Sequence, residues 1–257
     1  MDRRGWACHA GGVVTGTRDA PGRAGTAPVP GSFLARLGPA DREFLLDGGA
    51  VRRYSANTTV VHRGDPSDFV IFLVGGWAKV STDARNGHEA LLAIRGPGDV
   101  IGELAAIDGR PRSASVRTLT PVRATVLASA RFLGRLRQRP DIAIALLGHV
   151  ADRLRESDAH RLGFGAHTVP ERLAAYLLDL AERHGVADGA GTVIDIPLSQ
   201  RELAGAVGAS REAAARFLRI LRERRVIVTL RRRIVVVQPE VLRSISRSVH
   251  FDAERPC

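Results

Sequence analysis

The chain has 257 residues, 44% of them apolar, which is enough for two compact domains with their own cores. Its 38 Lys and Arg against 27 Asp and Glu leave a formal charge of +11, which favours an anionic partner such as nucleic acid or an anionic membrane surface. Two cysteines, Cys8 and Cys257, with no C-x-x-C pair, exclude a thiolate zinc site, an iron–sulfur cluster and a disulfide framework within one chain, and no apolar run approaches the ~20 residues of a membrane span. Lys79 is the sole lysine, so nearly every cation is arginine; a GC-rich genome produces the same bias, and the placement of the charge has to decide what it means.

In chain order, residues 1–30 are rich in Gly, Ala, Pro, Arg and Thr without periodicity and read as a disordered leader. Arg3 and Arg4 are followed by a stretch broken at His9, Gly11 and Gly12, which is no signal peptide. Ser32–Leu37 and Asp41–Leu46 read as two short amphipathic helices. From Val51 to Leu127 short runs of β-branched and apolar residues alternate with turn signals at Gly64-Asp65-Pro66, Gly75-Gly76, Asn86-Gly87, Gly96-Pro97-Gly98-Asp99 and Gly109-Arg110-Pro111. Many short strands at this spacing predict a β-barrel or sandwich, with Asn86-Gly87 as a hairpin turn.

A long helix is predicted from about Asp141 to Leu162, in which Leu147, Val150, Leu154, Ser157 and Arg161 are spaced 3, 4, 3 and 4. Such a heptad seam implies a partner helix, most simply that of a second subunit, the alternative being packing on its own domain. Gly163-Phe164-Gly165 breaks the pattern and reads as a hinge, and Val169–His184 reads as a further helix with Leu173, Tyr176, Leu177 and Leu180 on one face.

Leu198–Ile227 carries the clearest local signal. Ser199-Gln200-Arg201-Glu202 is a capping box opening a short helix, Gly208 permits a tight turn, and Ser210 caps a second helix from Arg211 to about Arg224. That is a helix-turn-helix, and Val226–Leu230 with Ile234–Val237, joined through Arg231-Arg232-Arg233, adds a two-stranded wing. Arginines crowd this stretch with few acids between them. At the head of the second helix Arg211 and Arg216 suit guanine O6 and N7, and Glu212 suits a cytosine N4 or braces Arg216 one turn on. Gln200 and Ser210, at helix starts, suit phosphate contacts. A solvated arginine face would explain the charge alone; the caps and wing around it favour DNA.

Gly102–Val116 has the chemistry for a cyclic phosphate. Gly102 lets backbone come close, Glu103 accepts from a ribose 2′-hydroxyl, Arg112 forks onto the phosphate, and Ser113 with the following N–H groups completes a cradle. A lone Glu and Arg at this distance would read as a β-turn with an incidental ion pair. The eight histidines are scattered without an H-E-x-x-H pattern, and neither a nucleophile elbow nor a P-loop lysine occurs, so the chain does not read as an enzyme.

Taken together, Gly64-Asp65, Gly96-Pro97-Gly98-Asp99, the Gly102–Val116 cassette, the long helix, Leu198–Ala204 and Ser210–Arg216 make residues 32–247 resemble the CRP/FNR family of bacterial regulators, in its cyclic-AMP receptor branch. The resemblance implies an α+β chain: a cyclic-nucleotide-binding β-roll (a jelly-roll-like barrel) at 32–139, a dimerisation helix and hinge at 140–163, a winged helix-turn-helix at 168–247 and a tail at 248–257. It implies cyclic AMP held by Gly102, Glu103, Leu104, Arg112, Ser113 and Ala114, with Ser157 reaching the adenine, and base reading by Arg211, Glu212 and Arg216. Further implications are a cytoplasmic homodimer on palindromic double-stranded DNA with TGTGA-like half-sites, RNA polymerase as a partner, and no membrane, metal or iron–sulfur cluster. Ala213 replaces a phosphate-contacting threonine, Asp158 stands where a second hydroxyl would help, and Ala106 replaces a larger apolar residue. Two alternatives stay open: the same regulator working without a nucleotide or on another ligand, and a cyclic-nucleotide module acting on a protein partner.

Overall fold

The computed structural model describes residues 27–83 and 89–247; residues 1–26 of the expected leader, the Asn86-Gly87 turn and the tail from 248 lie outside them. Residues 27–30 depart from the expected leader: Val29 N donates to Pro97 O at 2.8 Å, and Leu34 N, in a single 3-10 turn (Leu34–Arg36), donates to Gly98 O at 2.9 Å. Helix α1 (Pro39–Leu46) follows.

Eight strands build the N-terminal domain: β1 (Ala50–Tyr54), β2 (Thr59–Val61), β3 (Phe69–Gly75), β4 (Ala78–Asp83), β5 (Glu89–Arg95), β6 (Val100–Ile101), β7 (Ser115–Thr118) and β8 (Val122–Ala128). They form two antiparallel sheets, ordered β1-β8-β3-β6 and β2-β7-β4-β5. The run Phe69–Val74 shows why. Side chains alternate across a strand, so an unbroken apolar run fits a strand buried on both faces. Ile71 and Leu73 enter the core between the sheets with Val61, Ile101, Val116 and Ala124. Val70 and Phe72 enter an outer core with Phe33, Leu45, Phe132, Ile142 and Leu146.

That outer core is closed by α3 (Ser129–Gln138) and the start of α4 (Pro140–Ala166). Helix α3 begins without a side-chain cap at Ala128, so no local signal in the sequence marks it. Proline opens α4, where the missing N–H costs nothing. The helix continues through Gly163 and Gly165 to Ala166, so the expected hinge there is corrected. Glycine weakens a helix by only ~1 kcal/mol relative to alanine, so it disfavours a helix without ending it. The chain turns instead at His167-Thr168, where Thr168 and Glu171 form a capping box opening α5 (Val169–His184).

The C-terminal domain continues with β9 (Gly185–Asp188), β10 (Gly191–Ile194), α6 (Gln200–Ala206), α7 (Arg211–Glu223), β11 (Ile227–Leu230), β12 (Arg233–Val236) and α8 (Pro239–Arg247). The wing is therefore half of a four-stranded antiparallel sheet, β11-β12-β10-β9. Leu91, Ile94 and Leu119 of the N-terminal domain share a core with Leu177, Leu203, Phe217 and Leu221, so the two domains pack together. No helix among the described residues is long and apolar enough to cross a membrane.

His149 on α4 and His184 on α5 border one cavity of about 180 Å³ at this junction. Burial, then the charges of Arg153, Arg95 and Arg36, pull the His149 pKa from 6.5 down to about 4. Burial, then Arg183 and Arg95, bring His184 to about 4 as well. Between pH 6.5 and 4 the unfolded chain binds protons that the folded chain refuses, so their contribution is complete above 6.5 and is lost as pH falls. His149→Leu is expected to flatten the drop in melting temperature between pH 7 and 5, measured by scanning calorimetry against wild type.

Candidate ligand pocket and nucleic-acid interface

The first site forms where β6 runs into α2 (Glu103–Asp108). Gly102 joins them at φ 87°, a left-handed conformation suited to glycine, and a Cβ there would run into Arg112 Nη1. Arg112 returns on the irregular segment between α2 and β7. Its Nη2 donates to Phe69 O at 2.7 Å, and its guanidinium lies 4.5 Å from the centre of the Phe69 ring. Nη1 is buried and, among the described residues, has no hydrogen-bond partner. Burial lowers the pKa of this group, against the opposing charges of Asp68, Glu103 and Asp65.

Glu103 is 2% exposed, and its Oε1 accepts from Arg153 Nη1 on α4 at 2.5 Å. The pocket is lined by Gly102, Glu103, Leu104, Arg112, Ser113 and Ala114, so six of the seven expected ligand residues meet there. Arg95 and Arg153 join them over an apolar wall that includes Val61, Val80 and Val116. Three guanidinium groups against one carboxylate suit a monoanion such as a cyclic phosphodiester, and the apolar wall suits a base or sugar face. Its volume is about 60 Å³, well under the ~300 Å³ of a typical small-molecule pocket, so the site is contracted.

Ser157 does not line this pocket. It is exposed one turn beyond Arg153, on the same stripe of α4. Arg153 reaches the cassette from α4 and Arg95 from the end of β5, so neither belongs to the Gly102–Val116 segment that carries the sequence signal. The one available signal was the four-residue spacing of Arg153 and Ser157. Along the same helix, Leu147 (69%) and Leu154 (62%) are exposed apolar residues, so the heptad seam faces outward in the single chain.

The second site is the paired helices α6 and α7. Ser199 Oγ accepts from Glu202 N at 3.2 Å while Ser199 N donates to Glu202 Oε2 at 2.7 Å, closing the capping box. Gly208 turns the chain at φ 59°, and Ser210 Oγ accepts from Ala213 N at 3.1 Å. Ala214, Phe217, Leu218 and Leu221 are buried, which turns Arg211, Glu212, Arg216 and Arg219 outward. Gln200 is half-buried at the start of α6, and Ser210 is exposed. Among the described residues no ion pair joins Glu212 to Arg216, so the acid does not brace that arginine here.

Two of the crowded wing arginines are engaged within the chain. Arg233 forks onto Asp195, with Nε–Oδ1 2.7 Å and Nη2–Oδ2 3.1 Å, and Arg232 Nη2 donates to Leu119 O at 3.4 Å. Among the described residues, no group of three or more His, Cys, Asp or Glu is placed to hold a metal ion.

Residues 51–139 match the cyclic nucleotide-binding domain family, and residues 171–245 match the Crp-like helix-turn-helix domain family. A CRP-like cAMP-activated global transcriptional regulator of Mycobacterium tuberculosis is 37% identical over 160 residues, 62% of this chain and 71% of that protein. The cAMP-activated global transcriptional regulator CRP of Salmonella typhimurium is 28% identical over 198 residues, 76% of this chain and 92% of that one. Among solved structures, the c-di-GMP responsive global regulator CLP of Xanthomonas campestris superposes with a TM-score of 0.66 at 25% identity, over 77% of this chain and 99% of that one.

Proposed function

Because this chain belongs to the CRP/FNR family, as a DNA-binding transcription regulator controlled through a cyclic nucleotide-binding domain, we propose that it works as a cytoplasmic homodimer switched by cyclic AMP. The observation that carries the ligand reading is Arg112 Nη1, buried, charged and without a hydrogen-bond partner among the described residues, beside a glycine whose missing side chain leaves it room. A cyclic phosphodiester supplies the anion. Gly102, Ser113 and Ala114 border it, Leu104 covers it, and Glu103 takes the ribose hydroxyl, exchanging part of its bond to Arg153. The exposed Leu147–Leu154 seam supports pairing with a second copy, and Ser157 on that stripe reaches the base once the helices meet.

The dimer presents two copies of α7 to successive major grooves ~34 Å apart, which matches a palindrome of TGTGA-like half-sites. Arg211, Glu212 and Arg216 read bases while Gln200 and Ser210 hold phosphates. RNA polymerase is the partner that the family resemblance adds, and the chain acts as a regulator and not as an enzyme. To shift a 1:99 balance to 99:1, the nucleotide must favour the DNA-binding form by about 5.5 kcal/mol. Fluorescence anisotropy on a TGTGA palindrome is expected to show binding that tightens at least ~10-fold with cyclic AMP.

A second reading keeps the DNA function without a nucleotide. The contracted pocket, with Glu103 already bonded to Arg153, favours it. Full-affinity, sequence-specific binding by nucleotide-free protein in the same titration selects it.

A further inference from the structure

Lys79, on β4, is the only lysine of the chain, and its side chain is 7% exposed. Its Nζ lies 2.9 Å from Glu89 Oε2 on β5 and 3.0 Å from Glu202 Oε1 on α6. One buried cation thus bridges a carboxylate from each domain. Glu202 uses its other oxygen, Oε2, for the capping box of α6, so the bridge to Lys79 is additional to helix capping.

Around this bridge α6 rests directly on β5. A Cβ at Gly205 would meet Glu89 O at 3.0 Å and Leu91 Cβ at 3.9 Å. Between β5 and the head of α7 lies an open groove of about 740 Å³, lined by Glu89, Ala90, Arg201, Ser210, Arg211 and Glu212. A helix reading bases must sink into a major groove ~8.5 Å deep while the flanking phosphates settle on the helix starts. In this arrangement Glu89 and Ala90 of the sensor domain face the head of α7 across that groove.

We infer that Lys79 is an electrostatic latch that holds the DNA-binding domain closed against β5, with the base-reading end of α7 turned toward the sensor domain. Removing the ammonium leaves two partly desolvated carboxylates facing each other, and separating the domains returns both to water. The latch opposes DNA binding, and nucleotide occupancy has to overcome it. The inference rests on the reading that α7 contacts DNA.

Lys79→Met is expected to raise nucleotide-free affinity for the palindrome at least ~10-fold in anisotropy titrations and to shrink the gain produced by cyclic AMP. Lys79→Arg, which keeps the charge, stays near wild type. A merely structural lysine would lower the melting temperature without raising DNA affinity, and that result overturns the latch. A second variant does not depend on the Met protein folding well. Leu91→Cys with Gly205→Cys, in a Cys8→Ser, Cys257→Ser background, places two Cβ atoms near the ~3.8 Å separation of a disulfide. Oxidised, it should lose DNA binding even with saturating cyclic AMP and regain it on reduction. Equal binding by the oxidised and reduced forms, or failure of the disulfide to form, contradicts the closed state. Wild type binding DNA with the nucleotide while Lys79→Met behaves identically sinks the latch alone. No DNA binding by wild type under either condition sinks the reading beneath it as well.

Discussion

Arg112→Gln should weaken nucleotide binding by about 30-fold to several-thousand-fold while leaving the protein folded. Arg112 is 4% exposed, and one of the two terminal nitrogens of its guanidinium has no partner among the described residues. Truncating one member of a buried charge pair costs about 2–5 kcal/mol, or about 30-fold to several-thousand-fold in affinity. Glutamine cannot present the planar fork that a phosphodiester fits. Arg112 also holds Phe69 O, so some loss of melting temperature accompanies the change. Titration calorimetry separates the two effects. A folded variant that keeps wild-type affinity for cyclic AMP removes Arg112 from the site. Arg112→Lys retains the charge without the fork and is expected to fall between the two.

The second large effect lies at the head of α7. On the proposed reading, in which each forks onto a guanine, Arg211→Ala and Arg216→Ala should each weaken binding to the palindrome by about 1–3 kcal/mol, or about 5-fold to 150-fold. Non-specific binding to a scrambled duplex should change far less, and nucleotide affinity in the absence of DNA should not change. Both side chains are exposed, and the buried face of Ala214, Phe217, Leu218 and Leu221 fixes their direction. Competition titrations against a scrambled duplex distinguish base reading from a general loss of charge. Equal losses on specific and scrambled DNA would place these arginines on phosphate instead.

Most of what positions these sites is local and was legible in the chain. Ser199 with Glu202, and Ser210, satisfy helix-start N–H groups from three residues away, and α6 and α7 begin where that chemistry puts them. The six-residue apolar run of β3 likewise announces a strand buried on both sides. Helix α3 lacks such a marker: Ala128 stands at its cap position without a side-chain bond, and it was overlooked. Gly163 and Gly165 misled in the other direction, since glycine disfavours a helix without ending it; Thr168 and Pro170 mark the real boundary. The contacts that cross the chain were the hardest to see. Arg153 meets Glu103 across 50 residues and Arg233 meets Asp195 across 38, so nothing local to either arginine reveals its partner. The same holds for Lys79, whose two carboxylates come from different domains.

Coupling between the two sites must be reciprocal: a nucleotide that tightens DNA binding is itself bound more tightly when DNA is present, by the same factor. Calorimetric titration of cyclic AMP into wild-type protein, first alone and then saturated with the palindrome, measures this directly. The account predicts a nucleotide Kd at least ~10-fold lower with DNA, equal to the gain that cyclic AMP gives to DNA binding. Identical nucleotide affinities in the two titrations would contradict it.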